Sequence, residues 1–239
     1  GLGWSAARAG LIGAAAGTGV AIFAFDYGTD GIDLVGPLLE AGFTAATILW
    51  IVFPALAIHE VQTRSGATER VGQWLISISD KPVILVLILA WFFALLLEGA
   101  AGFGTPVALV APMLVTLGFS PQRSLVLALI GHAAGVSFGA VGIPMVPLLD
   151  ALPVDSRQLS LTIMLLHAAF GWALVLLVFR LAMKAGSTGN WTLAPLAALL
   201  FLLPALALAW LTGPELPTLG GALIGGAAFI ALVKWKWPA

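Results

Sequence analysis

Along most of this chain polar residues are too sparse to alternate with apolar ones at any fixed period, and long apolar stretches are separated by short polar punctuation. A helix needs about 20 apolar residues to cross the hydrocarbon of a bilayer. By that measure residues 5–25 form a first span and residues 34–58 a second, longer one. The stretch "GATERVGQWLISISD", residues 66–80, is of another kind. Its charges are mixed with Val71, Trp74, Leu75 and Ile78 at helical spacing, the pattern of an amphipathic helix lying in the interface with Trp74 as its anchor. Residues 82–97 are apolar again. A glycine-rich interruption follows, then an apolar arm over 106–117 and a long segment over 121–149 broken at "FGAVGIP". Three further spans are predicted at 158–182, 192–211 and 218–233. The pattern predicts an all-α polytopic membrane protein.

Composition agrees, because 61% of residues are hydrophobic and only 9% charged, too few charges to cover a water-soluble domain. The ten basic residues also orient the chain. If the elements alternate as described, Arg8, Arg64, Arg70, Lys81, Arg123, Arg180, Lys184, Lys234 and Lys236 share one side and Arg157 alone takes the other, so the first side is cytoplasmic. Asp26, Asp30, Asp33, Asp150, Asp155 and Glu215 fall in the opposite loops. The absence of Cys removes disulfide frameworks and cysteine-based metal or redox sites. No metal-ligand cluster and no nucleophile with a spaced base is visible, so an enzyme is not indicated and no cofactor is expected.

The alternation holds only if residues 82–117 enter and leave on the same side. Two full spans would do so, but the 12-residue arm 106–117 reaches only about 18 Å at 1.5 Å per residue. That falls short of about 30 Å of hydrocarbon, and a re-entrant hairpin fits better. Irregular backbone at membrane depth survives only where protein shields it or water reaches it. Gly99, Gly102 and Gly104 therefore mark a shielded or wetted tip, and Thr105 and Pro106 after them suit the start of a helix. The amides after Gly104, with the helix dipole behind them, are an anion site that needs no Lys or Arg. The second break repeats the logic: Gly139 and Gly142 loosen the chain and Pro144 restarts a helix. Two broken helices whose ends meet near the midplane are how secondary transporters hold a small anion. Two simple kinks would give the same letters, since glycine and proline are frequent in membrane helices. Gly131, Gly135 and Gly139, spaced by four, should let another backbone approach, as should Gly13 with Gly17 and Gly221 with Gly225.

Glu98 is the one acidic residue placed deep in the membrane, where a carboxyl is expensive and usually functional. Protonated beside a bound anion and ionised after its release, it would carry a proton; alternatively it bonds the tip amides and never titrates. His132, before the second break, is a candidate relay or donor. Thr105 and Ser137 are candidate hydroxyl donors to a carboxylate, or else bond their own helices. His167 reads as structural, His59 as solvated at the cytoplasmic interface, and Glu40 as reaching the outer surface. A passive pore for small carboxylates and a non-transporting membrane fragment remain as alternatives to a carrier.

The stretches "LEGAAGFGTPVAL", "FGAVGIP" and "GPELP" closely resemble the L-lactate permease family, bacterial carriers that import lactate, and often glycolate, with protons. The resemblance runs over nearly the whole chain and implies a multi-pass protein of the bacterial cytoplasmic membrane. Family members are more than twice as long, so this chain, which starts without Met, is expected to be their amino-terminal half and to lack a second half. The implied fold is one inverted-repeat unit plus the start of a second: scaffold helices and an interfacial helix in residues 1–80, a transport region with hairpin and broken helix in 81–185, and the first helices of the next repeat in 186–239. The implied substrate, a small 2-hydroxy monocarboxylate, sits between Gly99, Gly102, Phe103, Gly104, Thr105 and Pro106 on one side and Ser137, Gly139, Gly142 and Pro144 on the other. Glu98 and His132 are assigned the proton. The implied partners are the bilayer, the missing half and a second copy in a homodimer, with no nucleic acid. The chain departs from the family pattern at His132, Ala133 and Gly135, near the start of the broken helix.

Overall fold

The computed structural model describes residues 4–27, 32–183 and 190–236, apart from a few side chains within helices. Asp30, Lys184 and the side chains of Asp33 and His59 lie outside the described residues. Two compact units divide the chain, residues 1–54 and 55–239.

Among the described residues the secondary structure is helical throughout. Helix α1, Ala6–Phe25, starts where the Ser5 hydroxyl accepts from the Arg8 amide at 3.4 Å, the usual way a first-turn donor is satisfied. Helix α2 runs Ile32–Arg64, and Glu40 on it is exposed. Helix α3, Ala67–Ile76, is the amphipathic element. It buries Leu75, with Ile78 just past its end, and leaves Val71 and Trp74 exposed beside an apolar groove of about 210 Å³ that Phe92 and Ile230 also line.

Helix α4, Pro82–Ala100, is the axis of the second unit. It is apolar all round, and every side chain from Ile84 to Leu95 is buried, as a helix without a polar face must be when neighbours enclose it. Residues Leu87–Phe93 are wound as a π-helix. The wider turn pushes the Ala90 carbonyl against Gly131, where no side chain could fit. Within the core the Trp91 indole donates to the Ala197 carbonyl at 3.3 Å and meets Phe201 edge-on at 5.7 Å. A buried Trp keeps its polar handle satisfied in this way.

The chain then forms α5, Thr105–Thr116, and α6, Pro121–His132, which opens on a Ser120 cap. A 3-10 segment, Ala133–Phe138, leads to the irregular stretch Gly139–Gly142 and to α7, Val146–Ala151. Three long helices complete the unit: α8, Ser156–Ala182, capped by the Asp155 carboxylate accepting from the Arg157 and Gln158 amides at 3.0 Å; α9, Leu193–Thr212; and α10, Pro217–Lys236. Helix α10 packs on α9 and α4, and α8 packs on α9 and α6. Among the described residues six helices are long and apolar enough to cross a membrane: Ala7–Phe25, Pro82–Ala100, Pro121–Ala151, Ser156–Ala182, Leu193–Thr212 and Pro217–Lys236. The expected span at 34–58 lies within α2, of which the stretch Val35–Trp50 counts as a shorter apolar helix.

The expectation about glycine packing divides. Gly131, Gly135, Gly139, Gly221 and Gly225 each abut another element, whereas Gly13 and Gly17 on α1 have nothing within 4 Å among the described residues. Their spacing is the same, but a small-residue stripe does its work only where a second helix lies against it.

Candidate functional site: two left-handed breaks at a buried carboxyl

At its C-terminal end α4 closes with Ala101 and Gly102 donating to the Leu97 carbonyl at 2.9 and 3.2 Å. Gly102, Phe103 and Gly104 then follow in left-handed conformation, with φ of 57°, 49° and 83°. Glycine adopts this region freely and phenylalanine does not. Phe103 is held there between two glycines while its ring stays exposed. The expected row of free amides at the start of α5 is much reduced. Thr105 N–H donates to the Gly102 carbonyl at 2.9 Å, Ala108 N–H to Gly104 at 3.1 Å, and Pro106 has no N–H. Val107 is the first-turn amide that remains.

The second break starts earlier than "FGAVGIP" suggests, because α6 already tightens to a 3-10 helix at Ala133. Gly139 is extended, with φ −65° and ψ 157°, and Ala140, Val141 and Gly142 are then left-handed at φ 45°, 57° and 85°. A β-branched residue in that region is strained by about 1–3 kcal/mol and persists only where its surroundings impose it.

The two breaks touch. A Cβ on Gly102 would lie 3.2 Å from both the Cβ and the N of Ala140. The Glu98 side chain, 7% exposed, fills the space a side chain on Gly139 would need. His132 Nε2 lies 4.0 Å from Glu98 Oε2. The other ring nitrogen, Nδ1, is 2.7 Å from the Ala128 carbonyl and must be the donor, since a carbonyl only accepts. In the neutral ring Nε2 is therefore bare and turned toward the carboxyl.

A third element, which sequence reasoning passed over, joins them. Thr218 at the start of α10 is fully buried, and its hydroxyl donates to the Gly135 carbonyl in the 3-10 segment at 2.8 Å. Gly99 lies on the Leu219 backbone, and a Cβ on Gly142 would come within 2.7 Å of the Pro214 carbonyl. The "GPELP" turn and first residues of α10 thus brace the end of α4 and the second break together. Glycines at 99, 135 and 142 were the available signal, since each needs a close neighbour, but their spacing does not say which one.

The remaining candidates are dispersed. Pro106 is buried and Pro144 exposed. Thr105, 8% exposed, lines a cavity of about 380 Å³ with Gln62, Leu97 and Ala101. Ser137 turns toward α8, where its hydroxyl is 2.8 Å from His167 Nε2, beside a cleft of about 430 Å³. The cavities flank the contact of the two breaks.

The fold and site define an all-α, multi-pass membrane protein built around two interrupted helices and an intramembrane carboxyl. The chain belongs to the L-lactate permease family, whose model matches residues 2–239. A putative L-lactate permease from Haemophilus influenzae is 41% identical over 118 residues, 49% of this chain and 22% of that protein. An L-lactate permease from Streptococcus iniae is 35% identical over 180 residues, 74% of this chain and 38% of that protein. Glycolate permease GlcA of Escherichia coli K12 is 32% identical over 224 residues, 91% of this chain and 39% of that protein. The chain thus spans about two fifths or less of the length of these relatives. No solved structure matches it. Family and helices together make it a multi-pass protein of the bacterial cell membrane, and its relatives are named as permeases rather than enzymes.

Proposed function

We propose that the protein takes part in carrying lactate, glycolate or a similar 2-hydroxy monocarboxylate into the cell together with a proton. The carrying observation is the contact of the two left-handed breaks at Glu98, with the bare nitrogen of His132 facing the carboxyl. Strained backbone gathers where a function requires it, and an intramembrane carboxyl beside a titratable ring is a means of loading and releasing a proton. Residues 82–117 serve as a re-entrant hairpin and 121–151 as the discontinuous helix of one repeat, with residues 1–80 as scaffold and interfacial helix and residues from 186 onward opening the next repeat. The hairpin tip, with the Val107 amide and Thr105 hydroxyl, forms one wall of the substrate path.

The test is counterflow in proteoliposomes made with the natural polypeptide. A carrier exchanges labelled for unlabelled lactate against a gradient, and a passive pore does not. Lactate-driven proton uptake should be measured in parallel on the Glu98→Gln variant and is expected to fall to background while exchange persists. Counterflow absent for lactate and glycolate alike would remove the carrier reading, and unchanged coupling in Glu98→Gln would remove Glu98 from the mechanism.

A further inference from the structure

The cleft on the α8 side of the 3-10 segment has a composition of its own. Ala133, Ile163, Leu166, Phe170 and Leu174 give it apolar walls, and its polar groups are the Ser137 hydroxyl and the His167 imidazole, bonded to each other at 2.8 Å. The sequence suggested Ser137 as a hydroxyl donor and His167 as structural; the geometry makes them one unit, with the His167 ring 6.0 Å from the Phe138 ring and tilted 55° to it.

A count of donors decides what that unit can do. A serine hydroxyl supplies one donor and a neutral imidazole supplies one, and their mutual bond uses one of the two. If Ser137 donates to Nε2, the imidazole carries its proton on Nδ1. If Nε2 donates, the hydroxyl proton is free. Either way one donor is left over, in a cleft whose other lining groups neither donate nor accept. A neutral guest would gain little from it, but an anion with a short apolar body matches both parts, its charge on the donor and its carbon chain on the Ile163 and Leu174 wall. At about 430 Å³ the cleft is in the range of small-molecule sites.

We propose that this cleft is a binding subsite for a small monocarboxylate, with His167 and Ser137 as its carboxylate-contacting pair. The proposal rests on the reading above that the protein handles such acids, and it adds a second station, on the face of the broken helix that Ser137 presents to α8, beside a residue that no part of that reading uses.

The experiment is titration calorimetry of the purified natural polypeptide with L-lactate, with lactamide as the uncharged control, on the wild type and on His167→Leu, His167→Gln and Ser137→Ala. His167→Leu is expected to weaken L-lactate binding about 10- to 150-fold, the worth of one hydrogen bond to a charged group. His167→Gln, which can still bond Ser137 and still donate, should return most of the affinity, and lactamide should bind weakly throughout. A merely structural His167 would not distinguish acid from amide. Should His167→Leu fail to fold, Ile163→Trp fills the same cleft without touching the polar pair and is expected to abolish L-lactate binding. Wild-type affinity in His167→Leu, or in a folded Ile163→Trp, overturns the subsite and leaves the carrier reading standing. A wild type that binds neither lactate nor glycolate overturns the carrier reading and the subsite with it.

Discussion

Replacing Gly139 with alanine isolates the contact between the two breaks. Gly139 has φ −65° and ψ 157°, a conformation any residue adopts, so the substitution introduces no backbone strain. What it introduces is one methyl group where the Glu98 carboxyl already lies, with the ideal Cβ 3.2 Å from Cδ and closer still to Oε1. Either the Glu98 side chain leaves its rotamer, at about 0.5–1.5 kcal/mol, or the 3-10 segment shifts, at about 1–3 kcal/mol for overpacking. The expected loss is thus about 0.5–3 kcal/mol, depending on which route is cheaper. If the reasoning is right, the loss depends on the carboxyl being present. In a Glu98→Ala background the methyl has room, and Gly139→Ala should become neutral or gain about 0.4–1 kcal/mol from the stiffer unfolded chain. The assay is reversible unfolding in mixed micelles on all four corners of the double-mutant cycle, read as a coupling energy. Equal costs in both backgrounds would refute the placement of Glu98 against Gly139.

Other substitutions probe the neighbouring contacts by the same unfolding measurement. Thr218→Val leaves the buried Gly135 carbonyl without its donor and should cost about 1–3 kcal/mol, while Thr218→Ser keeps the bond and most of the stability; equal losses would show that the bond contributes nothing. Gly131→Ala drives a methyl into the Ala90 carbonyl and should cost about 1–3 kcal/mol or more. Gly10→Ala, on an exposed face of α1 with nothing within 4 Å, should instead stabilise by about 0.5–1 kcal/mol; the same sign for both would count against the described packing. Val141→Gly removes a half-exposed side chain from a left-handed position and is expected to be neutral or stabilising by about 1 kcal/mol. A clear destabilisation there would mean that the Val141 side chain packs more than the structure indicates.

The long helices were legible because a bilayer demands uninterrupted apolar length and because the boundaries carry local chemistry: Asp155 capping α8, Ser120 before Pro121, Pro217 opening α10. The positions of both breaks were legible for the same reason, since glycine and proline act on the backbone next to them. What lay beyond reach was set by distant parts of the chain. Nothing local in "ALIGHAAGVSF" announces that α6 tightens at Ala133; the α10 hydroxyl that donates to the Gly135 carbonyl is 83 residues away. The left-handed turns at Phe103, Ala140 and Val141 run against the preferences of those residues, so nothing in their identities announces them. The π-helical turn at Leu87–Phe93 has no signature in an apolar run. The left-handed turn at Gly102 lets the Thr105 amide fold back onto the Gly102 carbonyl, a closure that counting donors along the sequence does not see. The bond between His167 and Ser137 was out of reach because the two lie 30 residues apart on different helices.

The seating of α10 has a mechanical consequence. Leu219 carries Gly99, Thr218 holds Gly135 and Pro214 meets Gly142, so the end of α4 and the second break both rest on residues 214–219. A tip that lifted away like a flap would have to part from those residues and from Ala140 at once, giving up every one of these close contacts for one opening. Motion confined to the tip would therefore break all of these contacts together.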